Sequence, residues 1–474
     1  MIRKKLEAIV GKKYVLDDEA TLDAYAGDSS LNPHRRPLFV VKPKGTKEVQ
    51  KLVKLANQQL IPLIPVSSET HFYGATIPEQ GGIVLDLTRM DRILEIDIRN
   101  RKVKIEPGVT WPKLQKALKE KEQMALAPLF PHPGISALSS SLERSPMLIP
   151  KYEYADPVLT MEVVLPQGEL FLTGSAAAAN TQQAYPEGPG LDFYRFFQGA
   201  QGTMGVVTWL NIKTEYLPEH QKVFFAAFDR IEDAVEPIYQ LQRRHIGNEC
   251  FLLNNFHLAQ LLAEAWPGDF EDLRRKLPPY TLTVVIAGGR RRPLERIAYE
   301  EEALQEIASQ LHFHPAVTLG GISGLEALML EKLRTPQETA TYWKTRFKGA
   351  VQDIFFICDV DRAALYYDQL VAACAKFNYP LHETGVYLQP LERGRACHLE
   401  FSLPCSPGDG DQNLRDLYLH LSNELISLGA FFSRPYGPWA EMVYSSATVY
   451  TNTLKELKNV FDPNNILNPG KLCF

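Results

Sequence analysis

The sequence predicts an α+β protein with two domains. Its 474 residues are too many for one ordinary hydrophobic core, and two domains of about 200 residues each are the natural division. The first part of the chain interleaves short strands with helices, which indicates two small lobes. After about residue 219, the pattern changes to strands and longer helices that favour an antiparallel sheet covered by helices.

The first part begins with a short amphipathic helix and a βαβ pattern. Pro37–Val41 and residues 61–66 are apolar, strand-like runs, and Lys47–Gln59 between them has apolar residues at helical spacing. Because parallel strands need a crossover connection, this order predicts a right-handed βαβ unit. Further elements are predicted at 81–87, 93–98 and 102–108 (strands), Thr110–Gln123 (helix), 158–174 (a hairpin turning at 166–168) and 205–217 (strand).

The second part has fewer and longer elements. Strands are predicted at 221–228, 282–288, 352–360 and 396–403, and helices at 231–245, 294–311 and 362–377. A loop rich in glycine and proline at 406–413 precedes two C-terminal helices, which we expect around 414–428 and 439–459.

Composition excludes several classes of protein. Hydrophobic residues make up 45% of the chain, and the net charge of −5 is spread without a basic stripe, which argues against a nucleic-acid partner. No window approaches the roughly 18 apolar residues of a membrane-spanning helix, and lysines interrupt the apolar residues of the N-terminus, unlike a secretory signal. The six cysteines form no Cys-x-x-Cys pair, which argues against zinc or iron–sulfur ligation and favours a reducing, cytoplasmic location.

Four segments carry chemical information. They are IPLIPVSSETHFYGA (61–75), HPGISALSSSLERSP (132–146), FFQGAQGTMGVVT (196–208) and FDPNNILNPGKLCF (461–474). The second of these is expected as a small-residue loop that follows a helix. Together with GGIVLDLTRMDRILEID (81–97), VKIEPGVTW (103–111) and LTMEVVLPQGELFLTG (159–174), the four segments follow a family pattern in its usual order. Over nearly its whole length, the chain resembles the FAD-linked oxidases of the vanillyl-alcohol oxidase and p-cresol methylhydroxylase superfamily, which includes glycolate oxidase and D-lactate dehydrogenase flavoproteins.

This resemblance implies a two-lobed FAD-binding domain of the p-cresol methylhydroxylase type and a substrate-binding cap. We expect the FAD-binding domain at 1–218, the cap at 219–413, and a C-terminal segment at 414–474 that returns to the FAD-binding domain. Small residues in the first segment would let backbone N–H groups approach the FAD pyrophosphate. The predicted cofactor-binding residues are Pro65, Ser67, Ser68, Glu69, Thr70, His71, Phe72, Gly74, Ala75, Ser139, Ser140, Ser141, Gly199, Gly202, Thr203, Gly205, Val206, Val207, Asn468 and Lys471.

The first segment departs from the family pattern. Relatives usually have a Gly-Gly-Gly-Thr run where this chain has Ser67, Ser68, Glu69 and Thr70. The change restricts a backbone that needs positive φ and brings a carboxylate near the pyrophosphate, so the loop either rearranges around FAD or binds it more weakly. His71 also has two interpretations: a covalent attachment point for the flavin, as in several relatives, or a polar loop residue held by the backbone.

The segment Phe432–Ala440 is the predicted catalytic region. The resemblance implies that it brings Arg434 to the flavin, where the guanidinium would stabilise negative charge on the reduced flavin or bind a substrate anion. Tyr436 would orient a substrate oxygen or relay a proton. The alternative interpretation is a turn of proline and aromatic residues packed between the domains.

Other substrate-binding candidates lie in the cap and near the predicted flavin ring. Tyr387, His398 and Glu400 lie on strand-like runs, and strand alternation places His398 and Glu400 on one face. A structural histidine is the alternative for His398. Arg144 either binds a carboxylate or the flavin, or forms a surface ion pair.

The expected activity is oxidation of an alcohol, a hydroxy acid or a phenol by hydride transfer to flavin N5. The chain lacks the family's His-x-Gly-Asp-Gly-Asn segment and has only SPGDGDQN at 406–413, so we expect no metal.

The chain has no dinucleotide-binding fingerprint, so electrons would leave the flavin to oxygen, to a quinone or, as we prefer, to an iron–sulfur or other electron-transfer protein. The alternative function is an electron-transfer or scaffold subunit without its own substrate site, and a homo-oligomer is compatible with either function.

Overall fold

A computed structural model describes residues 2–68, 70, 72–148, 156–319, 322, 324–336, 342–407 and 412–474 of the chain. The predicted cofactor-binding residues Glu69 and His71 lie outside the described residues, so both interpretations of His71 stay open. The described strands form three sheets of four, six and seven strands. Across the same residues, no helix is long and apolar enough to cross a membrane.

The first lobe is a four-stranded mixed sheet. Its strands are β1 (Val15–Leu16), β2 (Phe39–Val41), β3 (Leu63–Val66) and β4 (Ile83–Asp86), in the order β1-β2-β4-β3. The parallel βαβ arrangement is confirmed, but β4 lies between β2 and β3 and pairs parallel with both. The connecting helix Thr46–Gln59 buries an apolar stripe against this sheet. As a result, β3 ends immediately before the predicted phosphate loop.

The second lobe is a six-stranded antiparallel sheet built around one long strand. Its strands are β5 (Ile93–Asp97), β6 (Lys102–Ile105), β7 (Gln123–Ala125), β8 (Val158–Val164), β9 (Leu170–Leu172) and β10 (Val206–Tyr216). β10 pairs with β6, β7 and β8, and the predicted hairpin is confirmed as β8 and β9. β10 begins at Val206, so the predicted glycine-containing loop, within 196–205, ends where this strand begins.

The second domain is organised by a seven-stranded sheet in which every described pairing is antiparallel, as predicted. Its strands are β11 (His220–Phe228), β12 (Glu249–Asn254), β13 (Tyr280–Gly288), β14 (Pro315–Ala316), β15 (Ala350–Cys358), β16 (Gly385–Leu391) and β17 (Ala396–Cys405), in the order β14-β11-β13-β12-β16-β17-β15. The central strand β12 was not predicted. Five of its six residues are buried, so its sequence lacks the alternation that marks a half-exposed strand.

Helices pack against these sheets. In chain order they are Ile2–Val10, Glu19–Ala24, Thr46–Gln59, Trp111–Lys119, Ala137–Leu142, Tyr194–Phe197, Val235–Arg243, Asn255–Leu262, Phe270–Lys276, Pro293–Leu311, Leu325–Arg334, Ala363–Lys376, Gln412–Ser427, Pro438–Ser446 and Thr448–Phe461.

Two helical predictions were wrong in detail. The single helix predicted at 439–459 is two helices, because Ala447 has a non-helical backbone with φ −112° and ψ 55°. The small-residue segment 132–146 was expected as a loop but contains the helix Ala137–Leu142. Its N-terminus is capped by Ser136, whose hydroxyl accepts the N–H of Ser139 at 3.1 Å.

The domain limits at 218 and 413 stay predictions. The helix Gln412–Ser427 packs on the seven-stranded sheet through Leu417 and Leu421. Further along, Ile466 and Leu467 belong to the core of the first lobe. The C-terminal segment therefore contacts both the cap sheet and the first lobe.

Candidate active site

Two cavities meet between the lobes and the seven-stranded sheet. The wider cavity has about 1200 Å³ of space between atoms and the narrower about 770 Å³, and both values include solvent at the open mouths. Because the two cavities share lining residues, an elongated ligand can extend from one into the other. Five residues line both cavities and mark their junction: Ser68, Ala75, Thr76, Ser139 and Glu143.

One face of the seven-stranded sheet forms a wall of the wider cavity. Glu400 on β17 pairs with Phe355 on β15 and with Tyr387 on β16. Because side chains alternate along a strand, Asp353 lies on the same face as Phe355. Asp353, Tyr387 and Glu400 all line the cavity.

A buried lysine links two carboxylates of this wall. Lys344 donates a hydrogen bond to Asp353 Oδ2 at 3.0 Å and another to Glu400, and each of the three residues is 6% exposed. Burial raises the pKa of Asp353, although Lys344 opposes this effect. Burial alone would also raise the pKa of Glu400, but Lys344 and His398 together hold it well below its usual range.

Arg434 and two tyrosines form another part of the wider cavity. The Arg434 guanidinium lies 4.1 Å from the centre of the Phe355 ring and is 9% exposed. Within the described part of the chain, it has no ion-pair partner. The rings of Tyr73 and Tyr436 stack, with centroids 5.3 Å apart and planes 21° apart. Since guanidinium stays charged when buried, this wall offers an unpaired cation to an anionic ligand.

Tyr73 is held in a backbone conformation that bulky residues rarely adopt, with φ 68°. The next N–H, from Gly74, donates to Asp28 Oδ2 at 2.7 Å, and Asn32 Nδ2 donates to the Tyr73 carbonyl at 3.3 Å. These contacts fix the tyrosine ring in the cavity. Strained residues of this kind cluster at ligand-binding and active sites.

A neutral histidine also lines the wider cavity. The ring of His132 packs against Phe72 and Tyr342, and its Nδ1 accepts the N–H of Gly134 at 3.0 Å. Burial lowers the pKa of His132 to about 4. At neutral pH the ring is therefore uncharged and carries its proton on Nε2, where it is a hydrogen-bond donor.

Two serine hydroxyls hold the first loop of the narrower cavity. Ser67 Oγ contacts Ser139 Oγ, and Ser68 Oγ accepts the N–H of Ser136 at 2.9 Å. Neither serine has a positive φ, and neither does Thr70. The loop therefore has no need of glycine at positions 67 and 68, and its serines tie it to the helix Ala137–Leu142 and its cap residue Ser136.

The glycine-containing loop packs tightly on the end of β3. Gly202 has φ 72°, and a Cβ atom there would lie 2.5 Å from Pro65 Cγ. From the C-terminus, Asn468 Nδ2 donates to the carbonyls of Ala75 at 3.0 Å and Gln201 at 2.7 Å. Asn468 thereby clamps the two loops of the narrower cavity to each other.

Comparisons with known proteins identify this architecture. Residues 37–174 match the model of the FAD binding domain, and residues 438–472 match that of the C-terminal domain of FAD linked oxidases. The chain is 25% identical to the glycolate oxidase subunit GlcD of Bacillus subtilis over 99% of this chain and 96% of that protein. It is 30% identical to the mitochondrial D-lactate dehydrogenase [cytochrome] of Arabidopsis thaliana, over 48% of this chain and 41% of that protein.

Solved structures show the same fold. p-Cresol methylhydroxylase superimposes with a TM-score of 0.84 at 17% identity, over 100% of this chain and 96% of that chain. The chain therefore contains the FAD binding domain and the C-terminal domain of FAD linked oxidases, and it has the fold of p-cresol methylhydroxylase. The 4-ethylphenol oxidase of Gulosibacter chungangensis gives a TM-score of 0.81 at 21% identity, over 99% of this chain and 96% of that chain. The protein is an FAD-dependent oxidoreductase, and the predicted two-lobed FAD-binding fold with its cap is confirmed.

The narrower cavity fits FAD in shape and chemistry. Its walls carry small residues such as Ala200, Gly202 and Gly205, and hydroxyls such as that of Thr76. No lysine or arginine lines it among the described residues, so the pyrophosphate would be held by backbone N–H groups and hydroxyls. The junction with the aromatic cavity offers room for the flavin ring beside a substrate.

The predicted cofactor-binding residues that the structure describes form two groups, according to whether they line a cavity. Those that line a cavity are Pro65, Ser67, Ser68, Thr70, Phe72, Ala75, Ser139, Ser140, Gly202, Gly205 and Val207. Those that lie behind the cavities are Gly74, Ser141, Gly199, Thr203, Val206, Asn468 and Lys471. One member of the second group contacts the first: Asn468 Nδ2 donates to the carbonyl of the lining residue Ala75 at 3.0 Å. Lys471 pairs with Glu79 at 2.9 Å.

The substrate candidates are also divided. Arg434, Tyr436, Tyr387 and Glu400 line the wider cavity, whereas His398 and Arg144 are not among its described lining residues. His398 Nε2 lies 3.4 Å from Glu400 Oε2, and burial lowers its pKa, which agrees with the structural alternative.

Arg144 contacts the protein backbone and is not among the described residues that line the wider cavity. Its Nη2 donates to the Ser433 carbonyl at 2.8 Å, so it fastens the predicted catalytic region to the loop that follows the helix Ala137–Leu142.

Among the residues of the wider cavity that sequence analysis did not predict are Tyr73, His132, Lys344 and Asp353. Tyr73 and His132 belong to the quoted segments 61–75 and 132–146, so their ring side chains were available signals. Lys344 and Asp353 belong to no recognised motif, and no local pattern marks them.

Proposed function

We propose that this protein is an FAD-dependent dehydrogenase for a phenolic substrate. The observation that carries the proposal is the buried Arg434 guanidinium, which forms no ion pair with any described residue, beside the stacked Tyr73 and Tyr436. A cation next to tyrosine hydroxyls suits an aromatic oxyanion, because the guanidinium neutralises its charge and the rings pack on its face.

The lining of the wider cavity supports an aromatic substrate over a small hydroxy acid. Phe72, Tyr342 and Trp343 are among its lining residues. A two- or three-carbon acid would leave most of this apolar wall in contact with water. The names of the solved neighbours point the same way, since p-cresol and 4-ethylphenol are alkylphenols, whereas glycolate and D-lactate appear in the names of the sequence relatives.

The residues of the wider cavity would act on the phenol before and during oxidation. Arg434 stabilises the phenolate oxygen, and Tyr436 and Tyr73 orient it. Phenolate character favours hydride loss from the para benzylic carbon, because the oxygen lone pair can then form a neutral quinone methide. When bound, FAD supplies the two-electron acceptor for that hydride.

Anaerobic reduction of the holoenzyme tests this function. Flavin absorbance is followed after mixing with 4-ethylphenol, and in parallel with glycolate and D-lactate. We expect 4-ethylphenol to bleach the flavin at least about tenfold faster than either acid, equivalent to about 1.4 kcal/mol in barrier height. Faster bleaching by a hydroxy acid would reject the phenolic assignment and leave the FAD-dependent fold untouched.

For the oxidative half-reaction, we propose a separate electron-transfer protein as acceptor. A cytochrome appears in the name of one relative, and another is named as a subunit. The test compares reoxidation of the reduced enzyme by oxygen with reoxidation by cytochrome c or an artificial dye. Reoxidation that is fastest with oxygen would make the protein an oxidase instead.

The alternative function, a subunit without its own substrate site, is less well supported. It rested on the missing glycines of the first loop, and Ser67 and Ser68 fit that loop without positive φ. An aromatic cavity beside the predicted flavin position also gives a substrate somewhere to bind. Failure of every phenol, alcohol and hydroxy acid to bleach bound flavin would favour this alternative.

A further inference from the structure

Four buried charged side chains lie around the wider cavity, and their formal charges cancel. Lys344 and Arg434 are cations, and Asp353 and Glu400 are carboxylates; none is more than 9% exposed. A fifth ionisable group, Glu143, also lines the cavity, and burial raises its pKa. A phenolate beside Arg434 would leave the four charged side chains and the ligand with one net negative charge. Burying an unpaired charge is costly, so binding should be accompanied by a proton that neutralises one carboxylate.

The contacts distinguish the two carboxylates. Lys344 donates a hydrogen bond to each of them, at Oδ2 in Asp353, and Glu400 also contacts His398 Nε2 at 3.4 Å. The hydroxyl of Tyr73 lies 3.4 Å from Asp353 Oδ2, so Asp353 is joined to a residue that also stacks on Tyr436 beside Arg434. Asp353 is therefore connected to the expected position of the substrate oxygen, whereas Glu400 is tied to its own neighbours.

We propose that Asp353 takes up the hydroxyl proton of the phenol, with the Tyr73 hydroxyl as the connecting group. The substrate O–H bond breaks, and its proton passes to the Tyr73 oxygen while the Tyr73 proton passes to Asp353 Oδ2. The products are a phenolate beside Arg434 and a neutral Asp353 carboxylic acid. No net charge is added to the cavity and no proton is exchanged with solvent. This inference rests on the proposed phenolic function.

Two further observations support Asp353 as the acceptor. Burial raises the pKa of Asp353, which makes it the more basic of the two carboxylates. Ser402 Oγ donates to Asp353 Oδ1 at 2.5 Å, so Oδ2 is the oxygen that faces Tyr73. The titratable groups that interact with Asp353 from the surrounding elements are Lys344, Glu400, Tyr73, Tyr342 and Tyr418.

The test counts the protons exchanged when an inert phenol binds to the holoenzyme. The probe is 4-nitrophenol, which has no oxidisable benzylic C–H bond and whose phenolate has a distinct visible absorbance. Calorimetric titrations in two buffers of different ionisation enthalpy, at pH values about one to two units below the pKa of the probe, give the proton count. Difference spectra give the ionisation state of the bound probe. For the wild type we expect bound phenolate, no net proton release, and a Kd that does not change with pH in this range.

The Asp353→Asn variant removes the proposed acceptor and keeps the shape of the side chain. We expect it to release about one proton per bound phenolate. Its Kd should therefore decrease about tenfold for each unit by which the pH rises. Ser402→Ala is the matched control, because it removes a hydrogen bond to Asp353 but leaves the carboxylate; it should behave as the wild type. Flavin content and thermal unfolding of each variant report whether it is folded.

Should Asp353→Asn lose its flavin, Tyr73→Phe provides the second test. It keeps Asp353 but removes the connecting hydroxyl, and is expected to release the proton to solvent as well. Equal proton counts in the wild type and in a folded variant would overturn the role of Asp353 while leaving the phenolic function intact. If 4-nitrophenol does not bind and 4-ethylphenol does not bleach the flavin, the phenolic function fails and this inference fails with it.

Discussion

Tyr436 donates a hydrogen bond to Glu143 at the junction of the two cavities, with 2.8 Å between its hydroxyl oxygen and Oε2. Glu143 follows the helix Ala137–Leu142, and Tyr436 precedes the helix Pro438–Ser446. The contact thus joins segments almost three hundred residues apart at the position where the flavin ring is expected. It also places an ionisable carboxyl group in a poorly solvated site.

The first prediction concerns the pH dependence of stability. Burial raises the pKa of Glu143, although Tyr436 and Arg434 oppose this effect. The folded state then binds this proton more tightly than the unfolded state does. The contribution of Glu143 to the free energy of unfolding should therefore fall as the pH rises above the unfolded-state value of about 4.3 and through the raised pKa.

Glu143→Gln removes this titration and tests the prediction. The free energy of unfolding of the variant, relative to the wild type, should increase as the pH rises from about 4 to about 8, measured by denaturant or thermal unfolding. Glu456→Gln, at an exposed position of the last helix, is the control and should follow the wild-type curve. Parallel curves for Glu143→Gln and the wild type would contradict the raised pKa.

The second prediction concerns Arg434, the unpaired cation of the wider cavity. Arg434→Ala should lower the rate of flavin reduction by a phenol by about 10²- to 10³-fold, the typical effect of removing one group that stabilises a developing oxyanion. Flavin content should change little, because Arg434 lines the wider cavity and not the narrower one. Both quantities are read from the absorbance of the purified protein before and after anaerobic mixing.

Two further variants are compared with Arg434→Ala in the same experiment. Arg434→Lys keeps the charge but loses the planar guanidinium that lies over Phe355. Its rate of flavin reduction should therefore lie between that of Arg434→Ala and that of the wild type. Arg275→Ala, at a surface helix position, should reduce the flavin at the wild-type rate. An Arg434→Ala variant with unchanged rate would remove Arg434 from the active site.

The third prediction separates two effects of substituting glycine in the narrower cavity. Gly202→Ala adds a Cβ atom 2.5 Å from Pro65 Cγ and places alanine at φ 72°. Gly190→Ala has an equally unfavourable φ of 88°, but nothing lies within 4 Å of its Cβ position. Both variants carry the backbone cost of about 1–2 kcal/mol for a left-handed residue, and only Gly202→Ala should also displace the loop against β3.

The readout is flavin content. Gly202→Ala should retain clearly less FAD after gel filtration than Gly190→Ala, even if both unfold at similar temperatures. Gly205 is less suitable for this test, because its Cβ would lie 2.3 Å from Val163 Cγ1 in the sheet beneath, so a substitution there disturbs the core as well. Equal flavin retention in the two alanine variants would contradict the placement of the 199–205 loop beside FAD.

The sequence predicted the fold more fully than the site, for a physical reason. Hydrophobic periodicity and turn residues act locally, so the hairpin of β8 and β9 and most strands of the cap were found from short segments. The buried strand β12 was missed because its sequence has no alternation. Arg434 and Tyr436 were found because they belong to one continuous family segment.

The cluster around Lys344 shows why the rest of the site could not be predicted. Its partners, Asp353 and Glu400, are 9 and 56 positions further along the chain. Only the pairing of β15 with β17 brings them together, through Asp353 opposite Ser402 and Phe355 opposite Glu400. Since strand order is a property of the folded sheet, no local pattern could reveal this cluster.

The last prediction concerns the serines that replace the glycines of relatives in the first loop. Ser68 Oγ accepts the backbone N–H of Ser136 at 2.9 Å, and Ser136 is fully buried. Ser68→Ala should leave that N–H without a partner, at a cost of about 1–3 kcal/mol. Because Ser68 lines both cavities, the loss should weaken FAD binding as well as lower the free energy of unfolding.

Titration of the apoprotein with FAD, followed by flavin fluorescence, measures the first effect, and chemical unfolding measures the second. Ser445→Ala is the control, since that hydroxyl is exposed and bonds only to the carbonyl of Met442 in its own helix. If Ser68→Ala binds FAD as tightly as the control does, the serine is a tolerated replacement for glycine and has no part in holding the loop.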